Sequence, residues 1–443
     1  MALTGRAGLL AALGAVLVLF APRPGLAVAG ILLLLAALVV VDLLLAGGVR
    51  GLRFHRDGER LVRLGQSVRV GLVVENPGPR RVRGVLRDAW PPSAGATPRH
   101  LRVDVPHGER RRLETTLTPT RRGDREAVTV TVRSVGPLGL AARQGTHRVP
   151  WSVRVLPPFL SRRHLPARLA RLRELDGRHP ALVRGQGTEF DSLREYVVGD
   201  DVRSIDWRAS ARRSDVVVRT WRPERDRRVL IVLDTGRTSA GRVGVSPIPG
   251  AGARTAGWPR LDWSMDAALL LAALAARAGD RVDFLAYDRG VRAWLSGASR
   301  TELLSSLVTS MAPIEAELVE SDGPGMVAAV LARARRRCLV VLLTDLNPAA
   351  MEEGLLPVLP QLSARHLVLV ASVADPKVAA MAAGRGTAER VYDAAAAEQL
   401  RGERRRIISL LRRQGVEVVD ALPEDLAPAL ADAYLALKAA GRL

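Results

Sequence analysis

With 443 residues, 48% hydrophobic and 25% charged, the chain is too long for one ordinary domain and too apolar to be mostly disordered. A single cysteine, Cys338, excludes a disulfide framework, a cysteine-based zinc site and an iron–sulfur cluster. The formal charge of +21 is almost wholly arginine, since only Lys377 and Lys438 are lysines, but aromatics are 4% and the arginines are scattered, so no specific nucleic-acid partner is expected.

Two apolar runs open the chain. Ala7 to Ala21 carries no charge, and Gly25 to Ala46 carries only Asp42. The second run has 22 residues, about 33 Å as a helix, and covers a bilayer core. The first is shorter and needs Arg6 to snorkel or the bilayer to thin. Pro22-Arg-Pro24 breaks the chain between them. Asp42 falls near the end of the second span, where a carboxylate is expected to reach the interface. The competing reading is a cleaved signal peptide, whose parts Arg6, the apolar run and Ala27-Val-Ala29 imitate. Against it, no polar stretch separates that small-residue site from the next apolar run. Arg50, Arg53, Arg56, Arg60 and Arg63 follow the second run, while only Arg23 lies between the two. The positive-inside rule then keeps both ends in the cytoplasm. Residues 1–49 thus read as a two-span hairpin in the cell membrane, with the lipid bilayer as partner and the C-terminal domains cytoplasmic.

Residues 50–157 alternate apolar and polar positions in Ser67 to Val74, Arg81 to Leu86, Leu101 to Val105 and Ala127 to Arg133, with turn signals between. Short strands at this spacing predict an immunoglobulin-like antiparallel β-sandwich. Nothing in this stretch looks catalytic, and a spacing or contact role is expected.

Residues 158–227 form a linker that carries a dense polar segment. Charges of both signs are interleaved there with the large anchors Phe190, Leu193, Tyr196, Ile205 and Trp207. One reading is a structural clamp in which Glu189, Asp201 and Asp206 pair with Arg194, Arg203, Arg208 or Arg212, orienting the segment more than stabilising it. The other is a docking surface or an acid/base site.

Residues 228–443 alternate apolar strands with alanine- and leucine-rich helices, which predicts an α/β domain with a mostly parallel sheet covered on both faces. Val229 to Leu233 ends at Asp234, and Cys338 to Thr344 ends at Asp345. Ligand crevices in such sheets lie at the carboxyl ends of strands, where both aspartates fall. There is no P-loop motif, no G-x-S-x-G elbow and no histidine pair at metal-ligand spacing.

The chain resembles the membrane-anchored bacterial proteins called domain of unknown function 58. The resemblance rests on Gly187-Thr-Glu-Phe190, Leu193-Arg-Glu-Tyr196, Gly199-Asp-Asp-Val-Arg203 with Asp200 and Asp201, Ile205-Asp-Trp207 and Ala211-Arg212, and on the aspartate-ended strand that follows. Arg121-Arg-Gly123 and Gly136-Pro-Leu-Gly-Leu140 look like the family's closing strands, so the match covers nearly the whole chain. It implies a von Willebrand factor A-like, Rossmann-like C-terminal domain. It also implies a non-enzymatic adaptor that works with a MoxR-type AAA+ ATPase, and with other membrane proteins of the same operon, in envelope or stress functions.

A von Willebrand factor A domain binds a divalent cation through D-x-S-x-S, a later threonine and a further aspartate, and hard oxygen ligands suit Mg²⁺. The matching positions are Asp234, Thr238 and Asp345, with Gly236 in place of the middle serine. For the second element only Ser321 and Asp322 are on offer. The alternative is a metal-free relic in which arginine holds the aspartates. Two other functions stand beside the adaptor. One is a membrane-tethered hydrolase using Glu189, Asp200, Asp201 or Asp206. The other is arginine-mediated binding of nucleic acid or anionic lipid, with steep salt dependence.

Overall fold

A computed structural model describes residues 2–178, 189–197, 202–213, 215–222, 227–247 and 257–443. They fall into two compact units, one up to Pro158 and one from Phe159 onward.

The first unit opens with β1 (Ala2–Leu3), α1 (Gly5–Val18) and α2 (Pro24–Leu45). Pro24 starts α2 at a position whose N–H has no intrahelical partner, so nothing is lost. Its burial is the reverse of a soluble helix: Asp42 is the one buried residue, while Leu33 is 74% exposed. One helix near the N-terminus, Pro24–Leu45, is therefore long and apolar enough to span a membrane. Helix α1 is apolar but shorter. It packs on α2 at Gly14, where a Cβ would come within 2.6 Å of Ile31 Cγ2.

Strands β2 (Arg53–Gly58), β3 (Leu61–Arg63), β4 (Val68–Glu75), β5 (Val82–Ala89), β6 (Ala96–Thr97), β7 (Leu101–Val105), β8 (Arg110–Leu117), β9 (Gly123–Val135) and β10 (Ala141–Leu156) follow. They form two sheets, one in the order β1-β10-β9-β5-β7 with β3 on β10, the other β2-β4-β8-β6. All pairs are antiparallel except β3 with β10. Leu72 and Val74 of one sheet meet Val82, Leu86, Val103, Val130 and Val132 of the other in a shared core. Strand β8 begins Arg-Arg-Arg and hides its alternation, which is why it is not legible in the sequence. Arg56, counted above among the basic residues after the span, is buried. It forms a bidentate pair with Asp88 at 2.9 and 2.6 Å and donates from Nε to Val149 O.

Near the end of α2 the Asp42 carboxylate turns into the sandwich, where Oδ1 accepts from Leu138 N at 2.7 Å and Oδ2 from Leu140 N and Ala141 N at 2.7 and 2.8 Å. Gly136 permits this, since a Cβ there would fall 2.1 Å from Asp42 Oδ1. Arg143 Nε on Leu43 O and a His147–Val49 O bond add further stitches.

The second unit begins with α3 (Leu165–Arg178), then β11 (Glu189–Glu195), α4 (Trp207–Arg213) and β12 (Val217–Arg222), with β11 and β12 an antiparallel pair. The α/β body runs β13 (Arg228–Asp234), β14 (Arg242–Val243), β15 (Trp258–Pro259), α5 (Arg260–Arg277), β16 (Arg281–Tyr287), β17 (Val291–Leu295), α6 (Leu303–Met311) and α7 (Gly323–Arg333). It closes with β18 (Leu339–Leu343), α8 (Leu359–Ser363), β19 (Leu367–Val373), α9 (Pro376–Ala382), α10 (Ala388–Arg413), β20 (Glu417–Ala421) and α11 (Pro423–Ala439). The sheet order is β17-β16-β13-β18-β19-β20, parallel throughout except for the edge hairpin β16–β17. The chain moves outward from β13 through β16 to one edge, then returns to β13's other side with β18. The order thus reverses between β13 and β18, and a crevice opens there at the strands' carboxyl ends.

Helix α5 is buried at every residue from Leu261 to Ala276. Its Asp266 carboxylate accepts from Ser161 N at 3.1 Å, and Ser161 Oγ donates to Asp266 O. Burial pushes the Asp266 pKa up, opposed by those Ser161 hydrogen bonds. The folded state therefore holds this proton to higher pH than the unfolded chain, and stability is lost as pH rises through the raised value. Asp266→Asn keeps the acceptor and removes the charge. Its stability relative to the native protein is expected to climb from acid to neutral pH, read as the difference between the two thermal unfolding curves across pH 3–7. A flat difference refutes the assignment.

Candidate functional site

The crevice between β13 and β18 has a volume of about 460 Å³ and is lined by Asp234, Thr238, Arg260, Ser321, Thr344 and Asp345, with Arg237 and Glu320 at its rim. Each side chain is placed by the end of a regular element. Asp234 closes β13, Thr344 and Asp345 follow β18, Arg260 opens α5, and Thr238 lies in a 3-10 turn, Arg237–Ala240, after β13.

Both oxygens of Asp234 are occupied. Oδ1 accepts from Gly236 N at 2.9 Å and Ser321 Oγ at 2.5 Å, and Oδ2 accepts from Thr344 Oγ1 at 2.6 Å. Gly236, the departure from the serine of the metal-binding pattern, lets Ser321 approach: a Cβ at this position would sit 2.1 Å from Ser321 Oγ. Asp345 is held by cations. Arg260 Nη1 donates to Oδ2 at 3.0 Å and Arg404 Nη1, from α10, to Oδ1 at 3.1 Å. Arg404 also forks onto Asp420 at 2.8 and 2.7 Å and reaches Ser372 Oγ at 2.7 Å. Burial works against its charge, but the hydrogen bonds and charges of Asp420 and Asp345 outweigh this and raise its pKa above the ordinary guanidinium value. Arg237 pairs with Glu320 at 3.0 Å rather than with Asp234.

The three positions read as metal ligands, Asp234, Thr238 and Asp345, thus line one crevice, but the residues do not fit Mg²⁺. Octahedral Mg²⁺ needs oxygens free to close to about 2.1 Å. Here two guanidinium groups occupy both oxygens of Asp345, and hydroxyl and amide donors occupy Asp234. Among the described residues no group of three or more His, Cys, Asp or Glu is placed to hold a metal ion. Thr344 sits beside Asp345 in sequence and had a visible signal as a strand-end hydroxyl. Arg260 and Arg404 had none, being two arginines among many.

None of the segment read as a signature lines this crevice among the described residues. Asp206 caps α4, its Oδ1 accepting from Arg208 N and Ala209 N at 3.1 and 3.0 Å. Tyr196 N donates to Val216 O, and Arg194 Nη1 to Glu195 O. Trp207, expected as an anchor, is 68% exposed, because it begins a helix of seven residues with its ring outward, and Arg212 on the same helix is exposed. Glu189 and Phe190 lie in β11, and Arg203 lies in a 3-10 turn, Val202–Ser204; these three are placed by their backbone alone. Asp200 and Asp201 lie outside the described residues.

The family described as "Protein of unknown function DUF58" matches residues 192–414, from β11 through α10. The chain belongs to this family. Its matched span includes Asp206, the crevice residues Asp234, Thr238 and Asp345, and both arginines that hold Asp345. No curated protein matches the chain. Among solved structures, the CARDB domain of the PF1109 protein from Pyrococcus furiosus is 19% identical over 24% of this chain and 91% of its own, with a TM-score of 0.19. The PilB minor pilin from Streptococcus sanguinis is 8% identical over 88% of each chain, with a TM-score of 0.32. Likenesses this low bear on neither the fold nor the function of this DUF58 chain.

Proposed function

We propose that the protein is a non-enzymatic, membrane-anchored adaptor whose C-terminal domain, of von Willebrand factor A-like type, offers its strand-end crevice to a MoxR-type AAA+ ATPase. In this reading α1 and α2 form a two-span hairpin and the remaining chain is cytoplasmic, consistent with the arginines after α2. The observation that carries the adaptor reading is the state of the crevice acids. Asp234 and Asp345 are fully engaged by hydroxyls, an amide and two guanidinium groups, so neither is poised as a base or nucleophile. What the crevice presents instead is a fixed polar surface at a topological switch point, with a rim pair, Arg237 and Glu320, that is more than half exposed.

The test is an affinity purification of the full-length, detergent-solubilised protein from its native cells, with and without ATP. An AAA+ ATPase recovered in a nucleotide-dependent manner, and lost on the rim reversal Arg237→Glu, is the expected result. No ATPase enriched under either condition overturns the partnership.

A further inference from the structure

We infer that the base of the N-terminal hairpin holds a binding site for the phosphate headgroup of an anionic phospholipid. The inference rests on the membrane-anchor reading above and adds a ligand to it. The site is a cavity of about 1160 Å³ within the first unit, between the foot of the two helices and the outer face of the β5–β7 edge. Arg6, Arg80, Arg81, Arg83 and Arg102 line it, against one acid, Asp104.

Among the described residues most of this charge has no ion-pair partner. Arg81 takes Asp104 through paired hydrogen bonds at 2.5 and 2.6 Å, which hold that carboxyl below its usual pKa range. Arg6, Arg80, Arg83 and Arg102 make no ion pair among the described residues, and all four are exposed. The pairing of β5 and β7 sets Arg83 opposite Asp104, and Arg102 opposite Val85. Arg6 arrives from the first turn of α1 and packs beside Gly139. The Thr4 hydroxyl bonds Gly139 O at 2.5 Å and leaves α1 without a side-chain N-cap, and Gly5 lines the cavity. Uncapped amides at the positive end of a helix add to the preference for an anion.

Position argues for lipid over a soluble anion. Leu45, the last residue of α2, also lines the cavity and is 48% exposed, and the exposed apolar surface of α2 begins there with Leu44, Val41 and Val40. A 22-residue helix covers the hydrocarbon core, so its end marks the headgroup level. A phospholipid seated with its phosphate among the arginines would lay its acyl chains along the hairpin. Basic pockets at the foot of membrane helices select anionic headgroups in this way. The three Asp42 hydrogen bonds hold the helix end against the Gly136–Leu140 loop, part of which also forms the cavity wall, so the site is built before lipid arrives.

The test uses the full-length protein in detergent, titrated with phosphatidylglycerol or phosphatidylcholine, with bound lipid counted by native mass spectrometry. Preferential retention of phosphatidylglycerol is expected. Arg83→Gln with Arg102→Gln should weaken it about fivefold per arginine, as roughly 1 kcal/mol for each cation at an anionic surface implies. Removing the same charge far along the chain, Arg412→Gln with Arg413→Gln, should leave the preference intact. Equal retention of the two lipids, or an unchanged preference in the Arg83/Arg102 variant, overturns the site. Full displacement by millimolar inorganic phosphate overturns the lipid assignment in favour of a soluble phosphate ligand. Carbonate extraction of native membranes reads the anchor separately: release of the protein overturns anchor and lipid site together, whereas retention with no headgroup preference overturns the lipid site alone.

Discussion

Asp42→Ala is expected to destabilise the N-terminal unit by about 3–5 kcal/mol, because it strands two buried amides and one half-buried amide, and a buried amide costs roughly 1–3 kcal/mol when unpaired. The amides are those of Leu138, Leu140 and Ala141, and the carboxylate itself has no exposed surface. Asp42→Asn should lie between, since one amide oxygen replaces two acceptors. Leu33→Ala on the same helix, at a residue 74% exposed, should change stability by less than about 0.5 kcal/mol in detergent. The measurement is thermal unfolding of the full-length protein in detergent, with proteolysis at the Gly136–Leu140 loop as a local readout. Equal effects of Asp42→Ala and Leu33→Ala would show that the carboxylate is not the lock between hairpin and sandwich.

The second large effect is expected at Arg404, which bridges Asp345 and Asp420. Arg404→Ala leaves two carboxylates, 6% and 19% exposed, without the cation they share. Breaking a buried pair from one side costs roughly 3–5 kcal/mol. Asp345 retains Arg260, which places the loss toward the lower figure. Arg404→Lys should recover only part of it, because an ammonium cannot reproduce the fork on Asp420 while still reaching Asp345. Urea unfolding of the full-length protein measures both, and a loss under about 1 kcal/mol for Arg404→Ala refutes the bridging role. The adaptor reading predicts something further: Arg237→Glu should abolish partner recovery with stability nearly unchanged, since that pair is exposed.

Much of the architecture was legible because it depends on neighbouring residues. The apolar run Val229 to Leu233, ending in Asp234, is a strand buried on both faces, and the structure extends it only to Arg228. Leu101–Val105 alternates strictly and is half-buried in just that pattern. The edge hairpin of β16 and β17 follows from two short runs too close for a helical crossover. A strand end that carries an acid beside a parallel sheet also points to the crevice, so Asp234 and Asp345 were found together.

Local pattern was thus enough to place many of the strands and the membrane-length helix, since hydrophobic periodicity records which face of a segment meets a core, and it failed at β8, where arginines mask the alternation. Which charges meet is settled by long-range packing instead. Asp42 finds its donors nearly a hundred residues away, and Arg404 lies 59 residues from Asp345. With 66 basic residues facing 45 acids, no spacing singles out these partners. They are chosen when the sheet closes and its strand ends converge, because a buried carboxylate must then take whichever donors the fold brings within hydrogen-bond reach.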